Sequence, residues 1–144
     1  MRFWDSSAIL PLIIAESASN RMRELHASDR LMLVWWGTLI ECHSGLARRQ
    51  RAGMIPAKGG EAAGQALREL SQYWTEIEPV PAIREVAIRL VGTHDLRAAD
   101  ALQLAAAVEA KSEAPGPLHF VCLDQRLAAV ATKEGMIVQG GDPK

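Results

Sequence analysis

The chain has 144 residues, enough for one domain with a real core, and its 49% apolar and 23% charged content is that of an ordinary globular protein. Sixteen basic residues against seventeen acidic leave a net charge of −1, so any binding of a polyanion must come from local patches and not from overall charge. Cys42 and Cys122 cannot build a secreted-type disulfide framework and show no metal-type pairing, which points to a reducing cytoplasm.

The first strand is predicted at Arg2-Phe3-Trp4, followed by a turn at Asp5-Ser6-Ser7 and a helix opened by a serine cap. Residues 8–15 (AILPLIIA) look like the apolar part of a signal peptide, but Asp5 precedes them and Pro11 interrupts them, so secretion is not expected. Pro11 must fall in the first turn of that helix or distort the turns beyond it. No apolar run reaches membrane-spanning length. A second helix is expected over 17–26, with Met22 and Leu25 inward. The continuous apolar run 31–36 (LMLVWW) predicts a strand covered on both faces, with Trp35 and Trp36 in the core.

Thr38-Leu39-Ile40-Glu41 has capping-box spacing and starts a helix that runs to about Gly53, its far part carrying Arg48, Arg49 and Arg51. That basic run can follow a nucleic-acid backbone or simply complement the helix dipole. Pro56 opens a helix reaching about Thr75, and residues 78–81 (EPVP) can hold only a short strand at a sheet edge. Pro81 begins another helix, ending at Gly92. Residues 98–110 are apolar almost all round, which predicts a buried helix, yet its first turn carries Asp100. A strand over 118–123, a helix over 127–134 and a last strand over 136–138 complete the domain, with 140–144 as a flexible tail. Strands alternating with helices across 1–139 predict a single α/β domain of three layers, helices covering both faces of a short central parallel sheet.

On that plan Asp5 follows the first strand, Asp124 the fourth, and Glu41 starts the helix after the second. Ligands of open α/β sheets bind beyond the carboxyl ends of the strands, where the strand order switches. Asp100 begins a helix leading back into strand four, which brings it to the same edge. Each acid also has a local alternative: Asp5 as a turn or cap residue, Glu41 as partner of Thr38, Asp124 as a helix cap, Asp100 as ion-pair partner of Arg97. Their joint occurrence at strand ends favours a common role. Two carboxylates about 5 Å apart repel by roughly 3 kcal/mol at an effective dielectric of about 20, so the set needs protons, bases or a cation. Only Arg97 and Arg126 stand close in sequence. Oxygen donors alone suit Mg²⁺ or Mn²⁺, and none of His26, His43, His94 and His119 forms a zinc-type pair.

Asp5-Ser6-Ser7-Ala8, the Thr38–Glu41 helix start, Leu96-Arg97-Ala98-Ala99-Asp100-Ala101-Leu102-Gln103-Leu104-Ala105 and Phe120-Val121-Cys122-Leu123-Asp124 resemble, in order and spacing, the four acidic motifs of PIN-domain nucleases. A stand-alone domain of this length looks most like the VapC-type toxins of bacterial toxin–antitoxin pairs. The resemblance implies a Mg²⁺- or Mn²⁺-dependent endoribonuclease, cytoplasmic and homodimeric, restrained by an antitoxin protein. Asp5, Glu41, Asp100 and Asp124 would be its catalytic acids. Asp5, Asp100 and Asp124 would hold metal, Ser6, Arg48 and Arg49 would contact RNA, and Gln103, one turn after Asp100, would contact substrate or orient a ligand. Two positions depart from the pattern: Gln103 stands where His is frequent, and Cys122 where a small hydroxyl residue is common.

A catalytically degenerate PIN-like module binding RNA or protein is the alternative. Asp-dependent phosphotransfer folds fit poorly. A dehalogenase-like phosphatase needs a second Asp where Ser7 stands, and a receiver domain needs paired acids and a late lysine. Gly59-Gly60 lacks phosphate-loop context.

Overall fold

The computed structural model describes residues 1–141. Five strands form one parallel sheet in the order β3-β2-β1-β4-β5, with β1 Arg2–Trp4, β2 Met32–Trp35, β3 Thr75–Ile77, β4 His119–Val121 and β5 Ile137–Gln139. Seven helices cover it: α1 Ser6–Ile13, α2 Ser19–Ser28, α3 Thr38–Arg51, α4 Ala57–Ser71, α5 Pro81–Thr93, α6 Ala98–Glu113 and α7 Gln125–Lys133. This is the three-layer α/β architecture expected from the alternation of elements.

Side chains alternate across a strand, so a sheet covered on both faces needs apolar residues at consecutive positions. Phe3 and Phe120 stack with ring centroids 5.7 Å apart in the core shared with Ile83, Leu90, Leu104 and Leu127, from α5, α6 and α7. Their neighbours Trp4 and Val121 point the other way, into the core formed with Ile9, Met22, Cys42 and Leu67 of α1 to α4. The body of α6 lies inside, as its composition predicts. Ala101, Ala105, Ala106 and Ala107 are fully buried, and their small size lets the helix backbone come close to its neighbours.

Several expectations need correction. Asp5 caps α1, not a serine. Pro11 sits inside α1 past its first turn; lacking an N–H, it cannot continue the hydrogen-bond ladder, and the helix stops two residues later. α4 ends at Ser71, and the edge strand is 75–77, just ahead of the proline-flanked stretch assigned to it. Trp35 is buried but Trp36, beyond the last residue of β2, is 47% exposed. Gly140 belongs to the packed structure and not to a tail: it is buried at φ +108°, where a Cβ would stand 3.1 Å from the Cys122 carbonyl oxygen. The rest of the expected tail past Gly141 lies outside the described residues. No helix among the described residues is long and apolar enough to cross a membrane.

Candidate metal and nucleic-acid site

Strand order reverses between β1 and β4, and a cleft of about 580 Å³ opens beyond the carboxyl ends there. Asp5, Glu41, Asp100 and Asp124 all line it. Four helices deliver them. Asp5 and Asp124 are the N-caps of α1 and α7, and Glu41 and Asp100 lie in the first turns of α3 and α6. Each acid therefore faces the positive end of a helix, worth typically about 0.3–1 kcal/mol.

Asp5 is the most tightly held. Its backbone N–H donates to the Val121 carbonyl at 3.0 Å, fastening it at the β1–β4 junction. Its Oδ2 accepts from the Ser7 N–H at 3.0 Å and from the Ser7 hydroxyl. The Ser7 Oγ in turn accepts from Leu123 N–H at 2.9 Å, so one hydroxyl joins the loops that carry Asp5 and Asp124. Burial pushes the Asp5 carboxyl above its ordinary pKa, the Ser7 bonds pull it back, and the charges of Asp100 and Asp124 push it up further.

The capping box expected of Thr38 and Glu41 does not form: Gly37 is the N-cap of α3 and no side chain caps that end. Glu41 Oε2 instead accepts from the Ser6 hydroxyl across the cleft at 3.3 Å. Burial, reinforced by the charges of Asp5 and Asp100, raises its pKa to about 7 against hydrogen bonds from Gln103 and Ser6. Asp100 is half-buried, and among the described residues it has no ion pair within 4 Å. Its pKa is raised by burial and then by Asp124, while Arg97 and Arg126 act in the opposite direction. Asp124 is exposed and serves as the cap foreseen for it, with Oδ1 accepting from Arg126 N–H at 2.8 Å and Leu127 N–H at 3.0 Å.

The donor set is hard oxygen, which fits Mg²⁺ or Mn²⁺. It does not form a closed cage: among the described residues no three His, Cys, Asp or Glu side chains are already grouped to hold an ion. Mg²⁺ usually keeps several waters and is held by one or two carboxylates, so an open arrangement suits it. Cys122 lies beneath these acids, its Sγ 3.7 Å from Asp5 Oδ2 and 3.4 Å from the Asp124 carbonyl oxygen.

The other sequence candidates divide. Ser6 and Arg48 line the cleft, and Arg48 donates to Ser44 Oγ at 3.1 Å. Arg49 also lines it but is engaged by Glu16 at 2.6 Å and by the Gly45 carbonyl at 3.2 Å. Gln103 is fully buried and donates to Thr38 Oγ1 at 3.0 Å, so it stands beneath the site and does not face a substrate. Physically, the helix turn that carries Asp100 to the cleft carries Gln103 inward, against α3. Sequence reasoning missed Ser7 as the support of Asp5. It also treated Arg97 and Arg126 only as charge neighbours, although both line the cleft. Their signal was present, three residues before Asp100 and two after Asp124.

No protein-family model matches the chain, and no curated protein matches it in sequence. Solved structures do. The crystal structure of PAE2754 from Pyrobaculum aerophilum superposes with a TM-score of 0.68 at 20% identity, covering 95% of this chain and 87% of that one. That of FitAcB from Neisseria gonorrhoeae does so with a TM-score of 0.64 at 15% identity, covering 96% of each. The domain has a PIN-like fold.

Proposed function

We propose that the chain is a metal-dependent endoribonuclease, the toxin of a toxin–antitoxin pair. The observation that carries this reading is the convergence of Asp5, Glu41, Asp100 and Asp124 on one cleft rimmed by Arg48, Arg97 and Arg126. Acids ranging from the buried Asp5 to the exposed Asp124, with exposed guanidinium groups beside them, suit a phosphodiester whose scissile group would meet a cation while its neighbouring phosphates meet arginine. The PIN-like fold and the four motifs in order support the same assignment.

Asp5 and Asp100 would hold Mg²⁺ or Mn²⁺, with Asp124 in reach of a second ion. When bound, the ion lowers the pKa of water and offsets the charge that develops on phosphorus. Glu41, with a pKa near 7, is suited to take the proton of the attacking water close to neutral pH. Ser6, already directed at Glu41, can also meet a phosphate oxygen. Arg97 and Arg126 neutralise the flanking phosphates. In-line attack of water on phosphorus would break the bond to the 3′ oxygen, which would leave with a proton taken from solvent water. The antitoxin and a homodimer belong to the same proposal.

Two hydrogen-bonding commitments favour a second reading, a non-catalytic PIN-like module. Asp5 Oδ2 is held by Ser7 and Asp124 Oδ1 by two backbone amides, which is what structural caps would show. One experiment separates the readings: cleavage of a mixed RNA panel by wild type, Asp5→Asn and Asp100→Asn, with and without Mn²⁺. The nuclease reading expects Mn²⁺-dependent cleavage by wild type alone. Metal-independent cleavage, or full activity in both variants, overturns it.

A further inference from the structure

A buried amide lies where the surrounding helix is otherwise apolar. Gln103 is fully buried in α6, followed by Leu104, Ala105, Ala106 and Ala107, all inaccessible. A leucine or methionine would fill such a place without bringing a polar group inside. Gln103 does bring one, at a cost: among the described residues its Oε1 is buried without a hydrogen-bond partner. A buried unsatisfied group that persists in a folded core calls for an explanation.

The other half of the amide supplies it. Gln103 Nε2 donates to Thr38 Oγ1 at 3.0 Å, joining α6 to the first residue of α3 across a separation of 65 residues. Thr38 is itself fully buried, and it has left the capping position its spacing to Glu41 would allow. Glu41 has left that role as well, and accepts from Ser6 of α1. The Gln103 amide also acts on Glu41 by hydrogen bonding, favouring its charged form. Gln103 thus fixes the first residue of α3, one turn before Glu41, while Glu41 itself reaches Ser6 of α1 across the cleft. The Gln103–Thr38 bond joins the two helices whose first turns present Glu41 and Asp100.

We propose that Gln103 is a positioning residue for Glu41: its amide, anchored on Thr38, ties α6 to α3 and sets where the Glu41 carboxylate stands relative to Asp100. The inference rests on the nuclease reading of the cleft. Gln103 touches no substrate, and its effect reaches the reaction only through Glu41.

Three substitutions test it. Thr38→Val and Gln103→Met keep the volume and remove the bond, while Thr38→Ser keeps the hydroxyl. In Mn²⁺-dependent RNA cleavage the first two should lower kcat by about 10- to 100-fold with KM little changed, the usual scale for loss of a supporting hydrogen bond. Thr38→Ser should restore most of the rate. Wild-type kcat in Gln103→Met, even with a lower melting temperature, overturns the proposal, and so does failure of Thr38→Ser to restore it. If wild type cleaves no RNA, the nuclease reading fails separately. Positioning is then read in the metal-free protein from the Gln103 side-chain amide signals in ¹⁵N–¹H NMR. Displacement of those signals by both Glu41→Gln and Thr38→Val supports the link; signals unmoved by Glu41→Gln overturn it.

Discussion

Replacing Glu41 by glutamine should make the metal-free protein more stable, and only at the upper end of the pH range. The fold raises this carboxyl from 4.5 to about 7, mainly through burial and then through Asp5 and Asp100. That is about two and a half pH units at about 1.4 kcal/mol each, so the ionised group costs the folded state at most about 3–4 kcal/mol. Glu41 is only half-buried, and solvent screening reduces this to about 2 kcal/mol. The direction of the shift sets the sign. A raised carboxyl binds its proton more tightly when folded, so wild type loses stability as pH rises from 4.5 through 7 and recovers it on acidification. Glutamine does not titrate and keeps an acceptor for Ser6. Denaturant melts of both proteins in EDTA at pH 5, 6, 7 and 8 should show the curves together at pH 5 and apart at pH 8. About 2 kcal/mol corresponds to roughly 4–8 °C in melting temperature for a chain of this size. On the proposed function a saturating divalent cation should close the gap, because it would bind the wild-type carboxylates in the folded state. A gain of equal size at every pH, or a loss at pH 8, would refute the electrostatic account of the cleft.

Asp100→Asn should likewise stabilise the metal-free protein near neutral pH while weakening Mn²⁺ binding in calorimetry; a clear loss of stability would instead reveal a structural ion pair with Arg97 or Arg126. Asp124 allows its two roles to be separated, since asparagine also caps helices and alanine does not. Asp124→Ala should cost about 1 kcal/mol in chemical denaturation through the lost α7 cap, whereas Asp124→Asn should hold stability and lose Mn²⁺ affinity. Away from the cleft, Arg89 and His94 hold the Glu134 carboxyl down at about 2. That stabilisation is complete above 4.5 and disappears as pH falls through 2, so Glu134→Gln should flatten the acid limb of an unfolding curve between those values. An unchanged acid limb would show that the Arg89–Glu134–His94 contacts contribute nothing to stability.

The layered fold was legible because its signals were redundant. The apolar runs at 31–36 and 118–123 fit strands covered on both faces over their central residues, and a helix as largely apolar as 98–110 belongs inside. The convergence of the four acids came from one topological rule applied to strand ends. Finer features escaped because they depend on contacts between distant segments. Thr38 and Glu41 have perfect capping-box spacing, but a hydroxyl that meets Gln103 from 65 residues away cannot be at the helix cap as well. Trp36 comes directly after Trp35 in an unbroken apolar run, and only the place where β2 ends decides that one indole is buried and the next exposed. Ser7 looked like half of a turn, and the Leu123 amide that makes it a link between two acid-bearing loops is 116 residues away.

Where the acids do not occur also bears on their role. If Asp and Glu stood at helix starts merely because helices favour acids there, the other three helices should carry them too. α2, α4 and α5 have Ala18, Pro56 and Val80 as N-caps and no acid in the first turn. Acids mark only α1, α3, α6 and α7, the helices that open onto the cleft. The helix ends make such a cluster tolerable, each offering about 0.3–1 kcal/mol, but do not neutralise it. Asp5, Glu41 and Asp100 all remain raised above their ordinary pKa values, with other acids of the set among the causes. The chain therefore supports the cluster with dipoles and hydrogen bonds while leaving repulsion in place. A divalent cation would relieve that repulsion better than an arginine, because its double charge would act on several members where a single arginine pairs with one.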